Sequence, residues 1–268
     1  MISKTLLLHA CLWLAVSGAQ ADVPPTVSLE ALTSPELESA IRSGKTTIIV
    51  PIGGTEQNGA HMVLGKHNRR VEILADRIAA ALGNALVAPV IAYVPEGSVD
   101  PPSAHMRFPG TITVPDDVFE KLLESAARSF RLAGFRDVVF IGDHGGYQKD
   151  LQIVAQRLNK AWAPSPARAH AIVEYYQVTE TIYRQGLKAQ GYRDDEIGTH
   201  AGLADTSLAL AVDPALVRTD KLKAATPPSR AEGTYGDPRR ATAALGQAGV
   251  DAIVARTVEA IRKATARP

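Results

Sequence analysis

The chain has a single cysteine among its 268 residues, few aromatic side chains (5%) and no excess of charge, with 29 basic against 28 acidic groups. One thiol excludes a disulfide framework and a zinc site built from several cysteines. The balanced charge argues against nucleic acid or an anionic membrane as a partner, because neither would meet a positive field. The remaining composition, 46% hydrophobic, is that of a globular protein, and we expect it to act on a small neutral or polar molecule.

The first 21 residues are organised like a secretory leader. Lys4 gives a positive start, residues 6–16 form an apolar stretch, and residues 19–21 read Ala-Gln-Ala, the small-x-small form that signal peptidase cleaves. The stretch is too short to span a membrane, and a buried N-terminal helix is the alternative. We therefore predict cleavage after Ala21, a single mature domain over residues 22–268, no membrane association after cleavage, and a secreted or periplasmic location.

Strand-like and helix-like segments alternate along the mature chain. Apolar or β-branched runs at residues 46–52, 86–94, 137–141 and 169–175 are typical of buried strands, and helical patterns separate them. This order predicts an α/β fold of three layers, α/β/α, with a mainly parallel sheet. In such sheets ligands bind at the carboxyl ends of the strands.

Metal-capable side chains follow two of the predicted strands. Glu56, His61 and His67 lie within twelve positions of one another after the first strand, and His144 follows the third strand among glycines. Two neutral imidazoles and a carboxylate suit zinc, manganese or iron, and they leave coordination positions open. Spacing alone only suggests a metal site, because scattered residues of these types occur by chance.

Residues 51–65 read PIGGTEQNGAHMVLG and resemble the signature of the creatininase (creatinine amidohydrolase) family, P-x-G-S-x-E-Q-H-G-P-H-L-P-L-x-T-D. Further matches follow in the family's order: FPGT at residues 108–111, GDHGG at 142–146, HAGLADTS at 200–207, and GDP at 236–238 with AT at 241–242. The resemblance implies a creatininase-like fold, metal-dependent hydrolysis of amide-like C–N bonds, and a homo-oligomer, often a hexamer.

Three departures from the family pattern affect the implied metal site. Asn58 stands where the family has a histidine, and His67 replaces an aspartate. Gly146 takes the place of a second glutamate found in creatininase itself. The resemblance therefore implies one complete ligand set, Glu56, His67 and His144, and a second site without its ligands. We expect a single divalent ion. Zinc is the favoured metal, with manganese or iron as alternatives.

The resemblance also gives roles to residues around the implied metal. Asp205 stands where the family commonly has glutamate, and it either ligates the metal or caps the following helix. His200 resembles a histidine that transfers a proton to the leaving nitrogen, with a purely structural histidine as the alternative. Without a second metal, Asp205 or His200 must accept the proton from water. His61 is expected to orient Glu56 or substrate. His105 either contacts substrate or is a plain loop histidine.

Other interpretations stay open. Arg69 and Arg70 either bind an acidic group of the substrate or lie on a solvated helix face. A serine hydrolase is disfavoured because no serine lies in a Gly-x-Ser-x-Gly motif. The main alternative is a catalytically inactive, secreted small-molecule-binding protein that keeps the creatininase fold after losing the family residues at positions 58 and 67.

Overall fold

The computed structural model describes residues 23–223, 226 and 228–267. The predicted signal peptide over residues 1–21 lies outside this part of the chain, so the leader, its cleavage after Ala21 and the resulting location stay predictions, as does the single domain over residues 22–268. No helix of the described residues is long and apolar enough to cross a bilayer.

Four parallel strands form the sheet, in the order β2-β1-β3-β4. They are β1 (Thr47–Ile52), β2 (Ala85–Val87), β3 (Asp137–Gly142) and β4 (Arg168–Ala171). Every residue of β1 and β3 is buried. These two strands pair along their full length and end side by side, with Ile52 opposite Gly142. The loops that follow them therefore start from adjacent points on one edge of the sheet.

Helices cover both faces of the sheet. In chain order they are α1 (Ser34–Arg42), α2 (Lys66–Leu82), α3 (Asp116–Ala133), α4 (Gln148–Trp162), α5 (Glu174–Val178), α6 (Arg184–Ala189), α7 (Asp194–Ile197), α8 (Leu203–Val212) and α9 (Ala243–Thr265). A π-helical turn, Thr179–Tyr183, joins α5 to α6. Short 3-10 turns lie at Leu29–Ala31, Ala104–Arg107, Pro214–Leu216, Lys221–Lys223, Arg230–Glu232 and Pro238–Arg240.

The alternation of side chains along the strands separates two hydrophobic cores. Ile49 and Val139 face a core shared with α2, α5, α8 and α9. Ile48 and Val138 face the opposite core, which α1, α3 and α4 complete. Successive strand residues point to opposite faces, so burial of every position requires a helical layer on each side. The predicted three-layer α/β fold is confirmed.

The segment after β2 continues beside β1 without forming a full strand. The predicted strand at residues 86–94 is only three residues long, because Pro89 has no amide to donate to a ladder. The chain nevertheless stays alongside β1, since Ile91 N donates to Pro51 O at 3.0 Å and Gly53 N donates to Ile91 O at 2.9 Å. This path brings the loop at residues 94–97 to the same edge of the sheet as the loops after β1 and β3.

Candidate metal and active site

The candidate site lies at the carboxyl edge of the sheet and is centred on the buried carboxylate of Glu56. Oε1 of Glu56 is 2.7 Å from His67 Nε2 and 3.5 Å from His200 Nδ1. Oε2 is 3.4 Å from His105 Nε2 and 3.8 Å from His144 Nε2. Four imidazoles from four different segments therefore surround one carboxylate.

Two groups of possible metal ligands share Glu56. The first is Glu56 with His67 and His144, and the second is Glu56 with His105 and His200; in each, one donor atom per residue lies within 4.8 Å of the others. The first group is the ligand set that the sequence predicts. Oε2 of Glu56 is buried and accepts no hydrogen bond from the described residues. A buried carboxylate oxygen without a donor, facing imidazole nitrogens, fits a divalent cation.

Asp143, at the end of β3, orients the ring of His67. Its Oδ2 lies 2.6 Å from His67 Nδ1, while Oδ1 accepts from the Tyr175 hydroxyl at 2.8 Å. Burial alone would raise the pKa of Asp143, but the Arg70 guanidinium and His67 hold it below its usual value. An ionised Asp143 accepts a hydrogen bond from His67 Nδ1–H and so turns Nε2 towards Glu56, an arrangement that metal-binding histidines use.

His67 lies between two carboxylates, and its charge state follows from that position. Burial and the nearby Lys66 ammonium lower the pKa of His67, yet its contacts with Asp143 and Glu56 outweigh both, and the net shift is upward. Burial would raise the pKa of Glu56, but the hydrogen bond and charge of His67, together with Lys66 and His144, hold it well below its ordinary value. A proton on His67 is therefore stabilised by the carboxylates on either side of the ring.

Asp205 lies on the first turn of α8, where cations engage it. Its oxygens accept from Lys66 Nζ and from Arg70 at 2.7 Å, and Oδ2 also accepts from Ala201 N at 2.9 Å. Burial would raise the pKa of Asp205, but Lys66 and Arg70 hold it well below its usual value. The predicted role of Asp205 as a metal ligand gains no support from this geometry, because both oxygens are already held. Its role as helix cap is not seen either, since it accepts from a residue before α8.

The two arginines at positions 69 and 70 have different surroundings. Arg70 is buried and pairs with Asp143 at 2.7 Å as well as with Asp205. Arg69 is about half exposed and pairs with Glu72 at 2.9 Å. Arg70 therefore does not lie on a solvated helix face. It lines the cavity, so contact with an acidic group of the substrate stays a prediction.

Three further histidines with predicted roles occupy different positions. His200 Nε2 is 2.9 Å from Gln57 O, so its N–H donates there and Nδ1 is left facing Glu56. His105 packs on His200 with ring centroids 4.2 Å apart, and its Nδ1 accepts from the Gln57 amide at 2.8 Å. His61 instead lies against α8, with Nε2 3.0 Å from Thr206 Oγ1. Its predicted contact with Glu56 is not among the hydrogen bonds of the described residues.

Two residues near the metal-binding cluster were not predicted from the sequence. Lys66, at the start of α2, is 1% exposed and lies 3.8 Å from Glu56 Oε1 as well as against Asp205. Glu96 lies after the β2 segment, with Oε2 3.7 Å from His144 Nε2. Burial and the charge of Glu56 raise the pKa of Glu96 to about 8. The signal for Glu96 was its position, because it follows a strand-like segment as Glu56 and His144 do.

A cavity of about 290 Å³ opens onto the cluster. His67, His144 and His200 line it, and Tyr176 and Tyr235 are also among its lining residues. Its size suits a small organic molecule or one end of a longer one. Imidazoles and phenol hydroxyls in its wall offer hydrogen bonds to a polar ligand.

Comparison with known proteins supports the resemblance seen in the sequence. The sequence model of the family described as "Creatininase: Creatinine amidohydrolase" matches residues 30–261. The chain belongs to the creatininase family. The family match confirms the predicted class, a metal-dependent amidohydrolase of the creatininase family.

Two relatives show the range of activities among similar sequences. A mycofactocin precursor peptide peptidase of Mycolicibacterium smegmatis is 27% identical over 241 residues, which cover 80% of this chain and 82% of the relative. A creatinine amidohydrolase of Pseudomonas putida is 25% identical over 258 residues, covering 89% and 97%. A peptide peptidase and a creatinine amidohydrolase therefore resemble this chain to a similar degree.

Solved structures agree on the fold. A crystal structure of creatininase matches with a TM-score of 0.74 at 22% identity and covers 91% of this chain and 100% of its own. Two other creatininase structures, described as a Zn-Zn type and as a manganese form, each match with a TM-score of 0.72 at 23% identity; both cover 90% of this chain, and 99% and 100% of their own. At these identities the likeness establishes the architecture of the chain.

Proposed function

We propose that this creatininase-family protein hydrolyses an amide or cyclic amide C–N bond of a small molecule, using one divalent cation held by Glu56, His67 and His144. The observation that carries the proposal is the buried Oε2 of Glu56, which has no hydrogen-bond donor and faces imidazole nitrogens. The donors are those that zinc prefers, with manganese and iron as the alternatives. A bound cation of this kind supplies Lewis-acid polarisation of a carbonyl and lowers the pKa of water.

The remaining side chains handle the proton and position the substrate. His200 is the proposed proton carrier, because its Nε2 donates to Gln57 O and its Nδ1 lone pair faces the cluster. His105 presents Nε2 to Glu56 from beside His200 and lines the cavity, so it is placed to contact a substrate carbonyl or amide. Asp205 is not the proposed base, since Lys66 and Arg70 neutralise it.

Non-peptide amides are the proposed substrates, and peptide bonds near a chain end are the competing class. The cavity of about 290 Å³ favours a compact substrate, whereas resemblance to a peptide peptidase favours the competitor. A homo-oligomer, a hexamer by family resemblance, stays a prediction.

A binding protein without catalysis is the second candidate, and Lys66 is the observation that favours it. Its ammonium group lies 3.8 Å from Glu56 Oε1 in a fully buried position. A buried ammonium can compensate part of the charge of Glu56, which reduces the need for a metal ion. Under this alternative the cavity binds a small molecule, and the protein retains no divalent ion.

Metal analysis combined with an amidase screen tests the proposal. Purified protein is dialysed against zinc or manganese, and its metal content is compared with that of His67→Ala and His144→Ala. His170→Ala is the control, because His170 pairs with Asp137 at the far end of the sheet's strands. We expect about one ion per chain, lost in both site variants together with hydrolysis of formamides or cyclic amides. Hydrolysis of short peptides instead would favour the competing substrate class. Retention of the ion in both site variants, or a metal-free wild type, would contradict the proposal.

A further inference from the structure

Glu96 is a buried carboxylate with no hydrogen-bond donor among the residues that the structure describes. The residue is 4% exposed, and neither Oε1 nor Oε2 accepts a hydrogen bond from the described residues. None of the motifs that relate the chain to the creatininase family contains it. Burying an acidic group costs free energy unless a donor or cation compensates it, so its presence beside the histidine cluster needs an explanation.

The backbone around Glu96 fixes the carboxylate in this place. Glu96 N donates to Thr113 Oγ1 at 3.0 Å, and the same hydroxyl donates to Gly97 O at 3.1 Å. On the other side the carboxylate packs on Gly54, where an added Cβ would lie only 2.7 Å from Glu96 Oε1. Glycine at position 54 therefore leaves the room that the carboxylate occupies.

Glu96 lies beside His144, one residue of the predicted ligand set. Its Oε2 is 3.7 Å from His144 Nε2, and the same nitrogen is 3.8 Å from Glu56 Oε2. Two ligand atoms on one tetrahedral zinc ion lie roughly 3.4 Å apart when each bond is about 2.0–2.1 Å. Both separations are close to that value, so one cation can contact His144 together with either carboxylate. Glu96 belongs to neither group of donor atoms that all lie within 4.8 Å of one another, so its side chain must move towards Glu56 and His67 to share their ion.

We propose that Glu96 is a fourth protein ligand of the cation, with Glu56, His67 and His144. The inference rests on the metal site proposed above. Glu96 restores a carboxylate that the family pattern has at position 67 and this chain lacks. Two carboxylates balance the charge of a divalent ion, and an ion with five ligands keeps one position for substrate.

The competing explanation is a neutral, protonated Glu96 that fills space and binds nothing. The two explanations differ in what removal of the carboxylate charge does to metal binding. Glu96→Gln keeps the shape of the side chain and removes its charge, so it separates them. Glu259→Gln, on the exposed face of α9, is the matched control for the same chemical change.

The experiment measures the zinc and manganese affinities of metal-free protein by competition with a chromophoric chelator. We expect Glu96→Gln to bind each ion at least about tenfold more weakly than the wild type, while Glu259→Gln is unchanged. The metal-free variant should be at least as stable as the wild type in urea, because an unpartnered carboxylate has been removed. Equal affinities for wild type and Glu96→Gln would overturn the role of Glu96 and leave the three-ligand site standing.

A crystal structure of the metal-loaded wild type provides the second measurement, which does not depend on any variant folding. A Glu96 oxygen within about 2.3 Å of the ion supports the proposal, and an ion bound by the other three residues with Glu96 out of reach refutes it. A wild type that takes up no divalent ion at all would instead remove the proposed function, and the inference with it.

Discussion

Asp205→Asn tests whether the charges behind the metal cluster hold the site together. Asp205 accepts from two cations whose side chains are almost fully buried, Lys66 at 1% and Arg70 at 6% exposure. Arg70 keeps a second partner in Asp143 at 2.7 Å, whereas Glu56 at 3.8 Å is the one carboxylate left to Lys66 among the described residues. Breaking a buried ion pair from one side costs about 3–5 kcal/mol, because a charge is left uncompensated. We expect the free energy of unfolding to fall by an amount in this range.

The assay is urea denaturation of the metal-free protein at pH 7, with Lys66→Met and the double variant as controls. The double variant should recover most of the loss of Asp205→Asn, since neutral groups then replace both ends of the pair. A loss of unfolding free energy below about 1 kcal/mol in Asp205→Asn would refute the reasoning, because a solvent-exposed ion pair contributes that much.

Acid adds a second signature of the same pair. The pKa of Asp205 is held well below the ordinary 3.8, with burial opposing and Lys66 and Arg70 responsible for the shift. A depressed pKa contributes stability at pH values above the unfolded pKa, and that contribution is lost as the pH falls towards the folded pKa. The difference in free energy of unfolding between wild type and Asp205→Asn should therefore have its full value at pH 7 and shrink below about pH 4. A difference that stays constant down to pH 3 would contradict this account.

Two more variants separate structural from chemical roles. Asn58 donates to Glu56 O at 2.9 Å and to Val63 O at 3.0 Å. Asn58→Ala should therefore lower the free energy of unfolding in urea by about 1–3 kcal/mol without changing the number of ions per chain. Loss of the ion in a folded variant would show that Asn58 supports metal binding directly. His200→Ala should retain the ion and lower kcat by about 10²–10⁴-fold on the substrate found in the screen. A kcat within about twofold of wild type would show that His200 fills space beside Gln57 and transfers no proton.

The fold could be predicted from the sequence where local pattern and burial agree. β1 and β3 are continuous apolar runs and lie where the sequence predicts them, and α2 shows the spacing of one apolar face. The strand expected at residues 169–175 is shorter, because the chain turns into α5 at Glu174. The residue at which a strand ends depends on what packs next to it, which a single sequence does not show.

The convergence of the predicted metal ligands could be predicted because these residues belong to ordered family motifs. Glu56 and His144 follow β1 and β3, which end side by side, and a donor atom of His67 lies within 4.8 Å of theirs. Glu96 was missed because it lies in no motif. The partners of Asp205 were missed because its contact with Lys66 exists only after α2 and α8 pack together. The two residues are far apart in the sequence, and no local pattern links them.

Anomalous diffraction at the zinc absorption edge, from crystals of the wild-type protein grown with zinc, tests the central claim most directly. The account predicts one strong peak per chain, within about 2.3 Å of Glu56, His67 and His144. A peak elsewhere, or an undisturbed Lys66–Glu56 contact with no peak beside it, would contradict it.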